Sequence, residues 1–223
     1  MATPGIFLLS TQTVPASLRE EAAQNDIRLD VVPFIRTELL EPVALPAYPG
    51  IAVFTSRHAV EAVPANRSQW KVFCLEGATR RLVEERFGAG IIEGTAPSAE
   101  ELAKKIIESN PVERVIFFCG DMRRQELPVI LREAGFAVEE RIVYRTVLTP
   151  QRIEKDYAGI AFLSPSAVES FFSANPVTPS TRFFAIGRTT AAAVRAKTGK
   201  DAIVASKPDK EVLIHEMITH FIV

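Results

Sequence analysis

The 223-residue chain repeats itself. The stretch Val53-Phe-Thr-Ser-Arg-His-Ala-Val-Glu-Ala62 resembles Ala161-Phe-Leu-Ser-Pro-Ser-Ala-Val-Glu-Ser170. Phe54/Phe162, Ser56/Ser164, Ala59/Ala167, Val60/Val168 and Glu61/Glu169 all lie 108 residues apart. Further along, Phe73/Phe184, Thr79/Thr190, Val83/Val194, Gly88/Gly199, Pro97/Pro208, Glu100/Glu211 and Leu102/Leu213 are 111 apart. Nearer the start, Leu18/Leu127, Arg36/Arg145 and Thr37/Thr146 are 109 apart. Ordered matches at nearly constant spacing predict a duplicated unit, so whatever fold one half adopts the other must adopt as well.

Within each half, short β-rich runs alternate with helical patterns. Ile6 to Leu9, Leu29 to Ile35, Ile51 to Phe54, Val72 to Leu75, Val115 to Phe118 and Val138 to Tyr144 read as strands. So do Ile160 to Leu163, Phe183 to Ile186 and Ala202 to Val204. Between them, Ala16 to Asn25, Ala59 to Ala62, Thr79 to Phe87, Ser98 to Glu108 and Gln125 to Ala134 read as helices. Ser98 and Glu101 make a capping box, and Gly135 closes the helix before it. Alternation of this kind predicts α/β architecture, with parallel sheets covered by helices. Hinges are expected at Glu38 to Gly50, which holds three prolines, and at Val147 to Asp156.

Composition narrows the function classes. With 26 basic and 27 acidic residues the net charge is −1, and no basic run or aromatic-basic stripe points to nucleic acid. The uncharged runs are strand-sized, far short of the ~20 residues of a membrane helix. No basic stretch followed by an apolar core marks a signal peptide. Cys74 and Cys119 end apolar runs and read as buried thiols of a reducing, cytoplasmic compartment. Three scattered histidines give no metal-ligand spacing, so no metal is expected.

In a parallel α/β sheet, ligands collect where strands run out into helices. The loops there are rich in hydroxyls and glycine: Thr55-Ser56-Arg57-His58, Gly77-Ala78-Thr79, Cys119-Gly120-Asp121, Ser164-Pro165-Ser166 and Gly187-Arg188-Thr189-Thr190. Each can aim free backbone N–H groups and a helix dipole at a carboxylate or phosphate, or its hydroxyl can simply cap a helix. Arg123 and Arg124 are expected to begin a helix, where they are solvated charge or, against the dipole, a sign of an anionic ligand. His58 reads as a surface or cap-adjacent histidine or as part of a site. Tyr144 ends a strand beside a domain crossover, as a packing residue with a wet hydroxyl or as a functional phenol. No nucleophile triad, phosphate loop, dinucleotide fingerprint or close carboxylate pair is present. From the residues alone the expectation is a duplicated α/β protein with a polar inter-domain cleft.

Five of these segments together resemble the uroporphyrinogen-III synthase family. They are Phe54-Thr-Ser-Arg-His-Ala-Val-Glu-Ala62, Cys119-Gly-Asp-Met-Arg-Arg-Gln-Glu-Leu-Pro128, Gly135 through Val143-Tyr144-Arg145-Thr146, Phe162-Leu-Ser-Pro-Ser-Ala-Val168 and Ala185-Ile-Gly-Arg-Thr-Thr-Ala191. Their order and spacing match the family nearly end to end. One departure is Glu76, where the family usually has glycine after the strand.

The resemblance implies two flavodoxin-like α/β domains. Residues 1–36 plus 150–223 would form a discontinuous domain one, 41–145 domain two, and 37–40 with 146–149 two antiparallel linker strands. It implies a monomer that needs no cofactor. It implies dehydrating cyclisation of hydroxymethylbilane to uroporphyrinogen III, with inversion of ring D. Tyr144 would be the acid for the departing hydroxyl. Substrate acetates and propionates would meet Thr55, Ser56, His58, Gly77, Thr79, Gly120, Ser164, Ser166, Gly187, Thr189 and Thr190, supplemented by Arg123, Arg124, Arg182 and Arg188. The alternatives are a non-catalytic module of the same fold binding an anionic small molecule, and a phosphosugar- or nucleotide-using transferase, for which no phosphate fingerprint is present.

Overall fold

The computed structural model describes residues 5–40, 50–65, 70–109 and 114–222. Most of the expected Glu38 to Gly50 hinge, residues 41–49, lies outside them. The chain divides into two compact units: residues 1–36 with 147–223, and residues 37–146.

Unit 1 is built on a parallel sheet of five strands: β1 (Ile6–Ser10), β2 (Ile27–Val31), β9 (Gly159–Phe162), β10 (Arg182–Ala185) and β11 (Ile203–Val204). Their order is β11-β10-β9-β1-β2. Helices α1 (Ala16–Gln24), α6 (Pro165–Ala174), α7 (Arg188–Thr198) and α8 (Lys210–His220) cover it. Neighbouring residues on a strand face opposite sides. Leu8 therefore joins a core of Leu18, Ile27, Leu213 and Met217, while Leu9 joins one of Phe34, Phe162, Phe171 and Phe183. Helices on both faces leave almost no polar position in such a strand, and so β9 is buried throughout.

Unit 2 has a six-stranded sheet of β3 (Ile35–Leu39), β4 (Ile51–Phe54), β5 (Lys71–Leu75), β6 (Ile92–Ala96), β7 (Val115–Gly120) and β8 (Val138–Leu148). Its helices are α2 (Arg57–Ala62), α3 (Ala78–Phe87), α4 (Ala99–Glu108) and α5 (Glu126–Glu133). The same alternation splits β7, with Val115, Phe117 and Cys119 on one face and Ile116 and Phe118 on the other. On the second face Trp70, Phe118, Phe54 and Phe87 stack in sequence, at 5.4, 5.3 and 5.9 Å between ring centres. The strand order is β6-β5-β4-β7-β8-β3. Apart from β3 it is the order of unit 1, strand for strand. The repeat in the sequence is thus a repeat of topology: β4 corresponds to β9, β5 to β10, and β7 to β1.

The α/β reading and its parallel sheets hold, with local differences. Leu29 to Ile35, read as one strand, is broken at Val32-Pro33-Phe34 into β2 and β3, because proline lacks the N–H that a continuing ladder needs. Strand β6 gives little sequence signal, since Glu93, Gly94 and Thr95 dilute it. Gly94 is nevertheless required there, as a Cβ would lie 2.8 Å from the ring of Phe73. Ser98 caps α4 as expected: its Oγ accepts the Glu101 N–H at 3.2 Å, and the Glu101 side chain returns to the Ser98 hydroxyl, accepting from it at 3.0 Å. Helix α5 starts at Glu126, so Arg123 and Arg124 precede it and do not begin it. Arg123 is drawn away to Glu140 on β8.

Strands β3 and β8 run antiparallel. Leu40 N–H donates to the Val143 carbonyl at 2.9 Å and Thr149 N–H to that of Phe34 at 2.9 Å, while Arg145 pairs with Glu38 at 2.6 Å.

Candidate active site

In each unit the hydroxyl- and glycine-rich loops lie at the carboxyl ends of the strands, where parallel sheets present helix N-termini. Two kinds of helix start occur. Helices α2 and α6 begin at serines: Ser56 Oγ accepts the His58 N–H at 3.2 Å, and Ser164 Oγ accepts the Ala167 N–H at 3.1 Å. Helices α3 and α7 begin at Gly77 and Gly187, which have no side chain to occupy the first-turn donors. Neither α3 nor α7 is therefore capped by the side chain of the residue that starts it. Gly77 holds φ +75°, a conformation that residues with a side chain rarely adopt.

Tyr144 has the most constrained surroundings. Strands β7 and β8 pair in register from Val115↔Val138 to Cys119↔Ile142, and then Gly120 pairs with Tyr144. Val143 is the extra residue, so a β-bulge re-aims the next side chain. The Tyr144 ring lies against Gly120. Its phenol is within hydrogen-bonding reach of the Ser56 hydroxyl, and the His58 ring is 5.5 Å away, tilted by 54°. Burial pushes the Tyr144 pKa above that of an ordinary phenol, and Ser56 offsets part of the rise. Burial also lowers the pKa of His58, with Glu61 opposing the shift and Arg57 adding to it. Both shifts favour the uncharged forms, a protonated phenol and a neutral imidazole.

Asp121 clamps the loop beside this ring. Its carboxylate accepts the N–H groups of Met122 (2.9 Å) and Thr146 (3.0 Å), while its own N–H donates to the Tyr144 carbonyl at 3.2 Å. Residue-by-residue reading of the sequence missed this role. The available signal was a Gly-Asp pair closing an apolar strand, which favours a side chain-to-backbone turn.

The other expected site residues separate into groups. Thr55 is half-buried in the loop of Ser56, whereas Thr79, Ser166 and Thr190 are buried within the first turns of α3, α6 and α7. Thr189 and Arg188 are exposed at the start of α7. The four arginines do not act alike. Arg123 is tied to Glu140, which also binds Arg132 at 2.6 Å. Arg124 is exposed in the loop before α5. Arg182 opens β10, at the amino end of the sheet, opposite the loops of Ser164 and Gly187. It lines a cavity of about 490 Å³ with Thr181, Phe183 and Lys200. Neither cysteine has a nucleophile's surroundings, since burial raises Cys74 to about 11 and Cys119 to about 12. Among the described residues no group of three or more His, Cys, Asp or Glu could hold a metal ion, and no helix is long and apolar enough to cross a membrane.

Two parallel sheets of matching strand order, with helices started by serine or glycine at the carboxyl ends of their strands, define a duplicated α/β protein. Comparison with known proteins gives the particular family. The family model for uroporphyrinogen-III synthase HemD matches residues 16–215. The fold is similar to uroporphyrinogen-III synthetase from Helicobacter pylori, with a TM-score of 0.73 at 16% identity, covering 96% of this chain and 99% of that one. It is also similar to a mutant uroporphyrinogen III synthase from Thermus thermophilus, with a TM-score of 0.63 at 15% identity, covering 97% and 98%. The chain belongs to the uroporphyrinogen-III synthase family, and is thus an enzyme of tetrapyrrole biosynthesis that acts on a tetrapyrrole substrate.

Proposed function

We propose that this chain closes hydroxymethylbilane to uroporphyrinogen III with Tyr144 as the proton donor. The observation that carries the assignment is the phenol's seat, buried enough to stay protonated and placed at the carboxyl end of the unit 2 sheet beside Ser56 and His58. The pyrrole nitrogen of the first ring pushes out the hydroxyl of the hydroxymethyl group. Tyr144 supplies the proton, so that water leaves. The cation that remains is attacked by the substituted carbon of ring D, giving a spiro intermediate. That intermediate fragments and recloses, and loss of the ring proton restores the aromatic pyrrole.

The nitrogen already makes the hydroxyl a ready leaving group. The phenol therefore contributes roughly 10²–10⁴-fold, a usual range for general acid catalysis. Orientation does more. Unassisted closure joins the free carbon of ring D and gives the symmetric isomer, so the protein must hold the chain in the less accessible geometry.

The substrate's acetates and propionates are held by the strand-end loops. The contacts are Thr55 and the helix start at Gly77 in unit 2, and Ser164, Thr189 and the helix start at Gly187 in unit 1, with Arg188 as the supplementary cation. Arg123 is held by Glu140, and Arg182 lies at the amino end of the unit 1 sheet. The domains are 1–36 plus 150–223 and 41–145, joined through 37–40 and 146–149. The enzyme works as a cytoplasmic monomer on a small-molecule substrate, with no nucleic-acid or membrane partner.

The test is an assay with freshly generated hydroxymethylbilane, followed by separation of the oxidised type I and type III isomers. Predominant type III product is expected. Only type I product, as in a protein-free control, would reduce the chain to a binding module.

A further inference from the structure

The resemblance to known synthases assigns Gly120 to substrate contact, but the geometry points elsewhere. We propose that Gly120 is a positioning residue for Tyr144: its missing side chain, together with the bulge at Val143, forms the seat that aims the phenol. The inference rests on the reading of Tyr144 as the proton donor.

A Cβ built on Gly120 would lie 2.5 Å from Cε2 of Tyr144, 2.6 Å from Cζ and 2.9 Å from the hydroxyl oxygen. Separations under about 3 Å are repulsive, since carbon atoms rest at roughly 3.5–4.0 Å. The atoms met are the hydroxyl end of a ring, which cannot bend away as a flexible chain would. The ring cannot withdraw downward either, because β8 is fixed there. Asp121 N–H holds the Tyr144 carbonyl, and the Asp121 carboxylate holds the Thr146 N–H. The ring also meets that of His58, 5.5 Å away between centres. Any side chain at position 120 must therefore swing the phenol about its χ1 and χ2 angles, away from Ser56. Gly120 itself has a φ that any residue adopts, so backbone freedom does not explain the glycine. Space does.

The bulge supplies the other half of the seat. Without the register shift, the pairing begun at Val115↔Val138 would bring Val143 opposite Gly120. The shift puts Tyr144 there instead. The two features work only together, since the bulge delivers an aromatic ring to a site that only glycine leaves open.

The experiment compares Gly120→Ala, Tyr144→Phe and the double variant with the parent protein. Turnover is measured with freshly generated hydroxymethylbilane, and the phenol is titrated by its ultraviolet difference spectrum. Subtracting Tyr144→Phe isolates the Tyr144 signal from the other tyrosines. For Gly120→Ala we expect kcat to fall about a hundredfold, the scale of an ångström misplacement, with KM within about twofold. The Tyr144 titration should move down toward an ordinary phenol as the ring leaves its buried seat. Because Gly120 acts through Tyr144, adding Gly120→Ala to Tyr144→Phe should lower turnover no further. An unchanged titration in Gly120→Ala, or a further loss in the double variant, would overturn the inference and return Gly120 to direct substrate contact. The two readings fail separately: near-normal turnover in Tyr144→Phe removes the proton-donor role, while the titration still decides the seat. If Gly120→Ala does not fold, Gly120→Ala with Tyr144→Ala removes the ring that it strikes. Recovery of folding in that pair supports the seat, and failure to recover overturns it.

Discussion

The two units share a strand order, yet they treat the carboxyl end of the equivalent strand in opposite ways. In unit 1, β1 ends at Ser10 and the next residue, Thr11, is wholly buried. Its hydroxyl donates to the Ala161 carbonyl at 2.8 Å and its N–H to the same atom at 3.1 Å. The end of that strand is closed by its own side chain. In unit 2 the residue 109 positions later is Gly120, and the space that a side chain would fill is taken by the Tyr144 ring. A second pair diverges likewise. Ser166 of unit 1 corresponds, 108 positions away, to His58 of unit 2, which lies against that ring. The same scaffold occurs twice, and a few differences close one copy's strand end with its own side chain and leave the other's to the Tyr144 ring.

The largest expected effect tests that division directly. Tyr144→Phe should lower kcat by roughly 10²–10⁴-fold, the share of a general acid, and leave KM nearly unchanged. Thr11→Val at the corresponding strand end should cost about 1 kcal/mol of stability, the net value of one hydrogen bond, and leave kcat alone. Steady-state kinetics and urea denaturation of both variants decide the matter. Comparable rate losses would mean that both strand ends serve catalysis.

Next in size are the two glycine helix starts. A Cβ added at either would meet nothing within 4 Å, so packing does not separate them, but Gly77 holds φ +75° and Gly187 is extended at −173°. Gly77→Ala should therefore cost about 1–3 kcal/mol of backbone strain. Gly187→Ala should be nearly neutral. Equal losses in denaturant midpoint would show that the two turns are strained alike.

These contrasts also mark what the sequence could reveal. Duplication, alternation and the strand-end loops were legible because each depends on local pattern: apolar runs, capping serines, glycines after strands. Ser56, Ser164, Gly77 and Gly187 could be assigned to helix starts for that reason. The seat of Tyr144 was not legible, because it depends on a one-residue register shift between β7 and β8, a property of two strands that neither shows alone. The surroundings of two arginines were hidden for a similar reason. Nothing local says that Glu140, 17 residues on, claims Arg123, or that Arg182 begins its strand at the far end of the sheet.

The capping serines sharpen the comparison further. Ser56→Ala and Ser164→Ala should each lose about 0.5–2 kcal/mol, the ordinary cost of removing a helix cap. Only Ser56→Ala should also change the phenol. Its hydroxyl favours the phenolate, so removing it should raise the Tyr144 pKa further and carry the alkaline limb of activity to higher pH. A shift in the Ser164→Ala protein as well would show that the effect is not local to unit 2.

The smallest effect concerns His58 against Ser166. Burial lowers the His58 pKa in the folded protein, so the unfolded chain binds its proton more readily. Stability from this residue is fully present above the ordinary histidine pKa of about 6.5 and declines as pH falls below it toward the lowered folded value. Unit 1 carries serine at the matching position and has no such term there. Replacing His58 by serine should therefore reduce the loss of stability on going from neutral to acidic pH, with little change above neutrality. Urea denaturation of parent and His58→Ser proteins across that range reads the difference. Parallel curves would mean that the imidazole is solvated enough to charge freely, and that the ring beside Tyr144 is then a cation at mildly acidic pH and not the neutral group its burial favours.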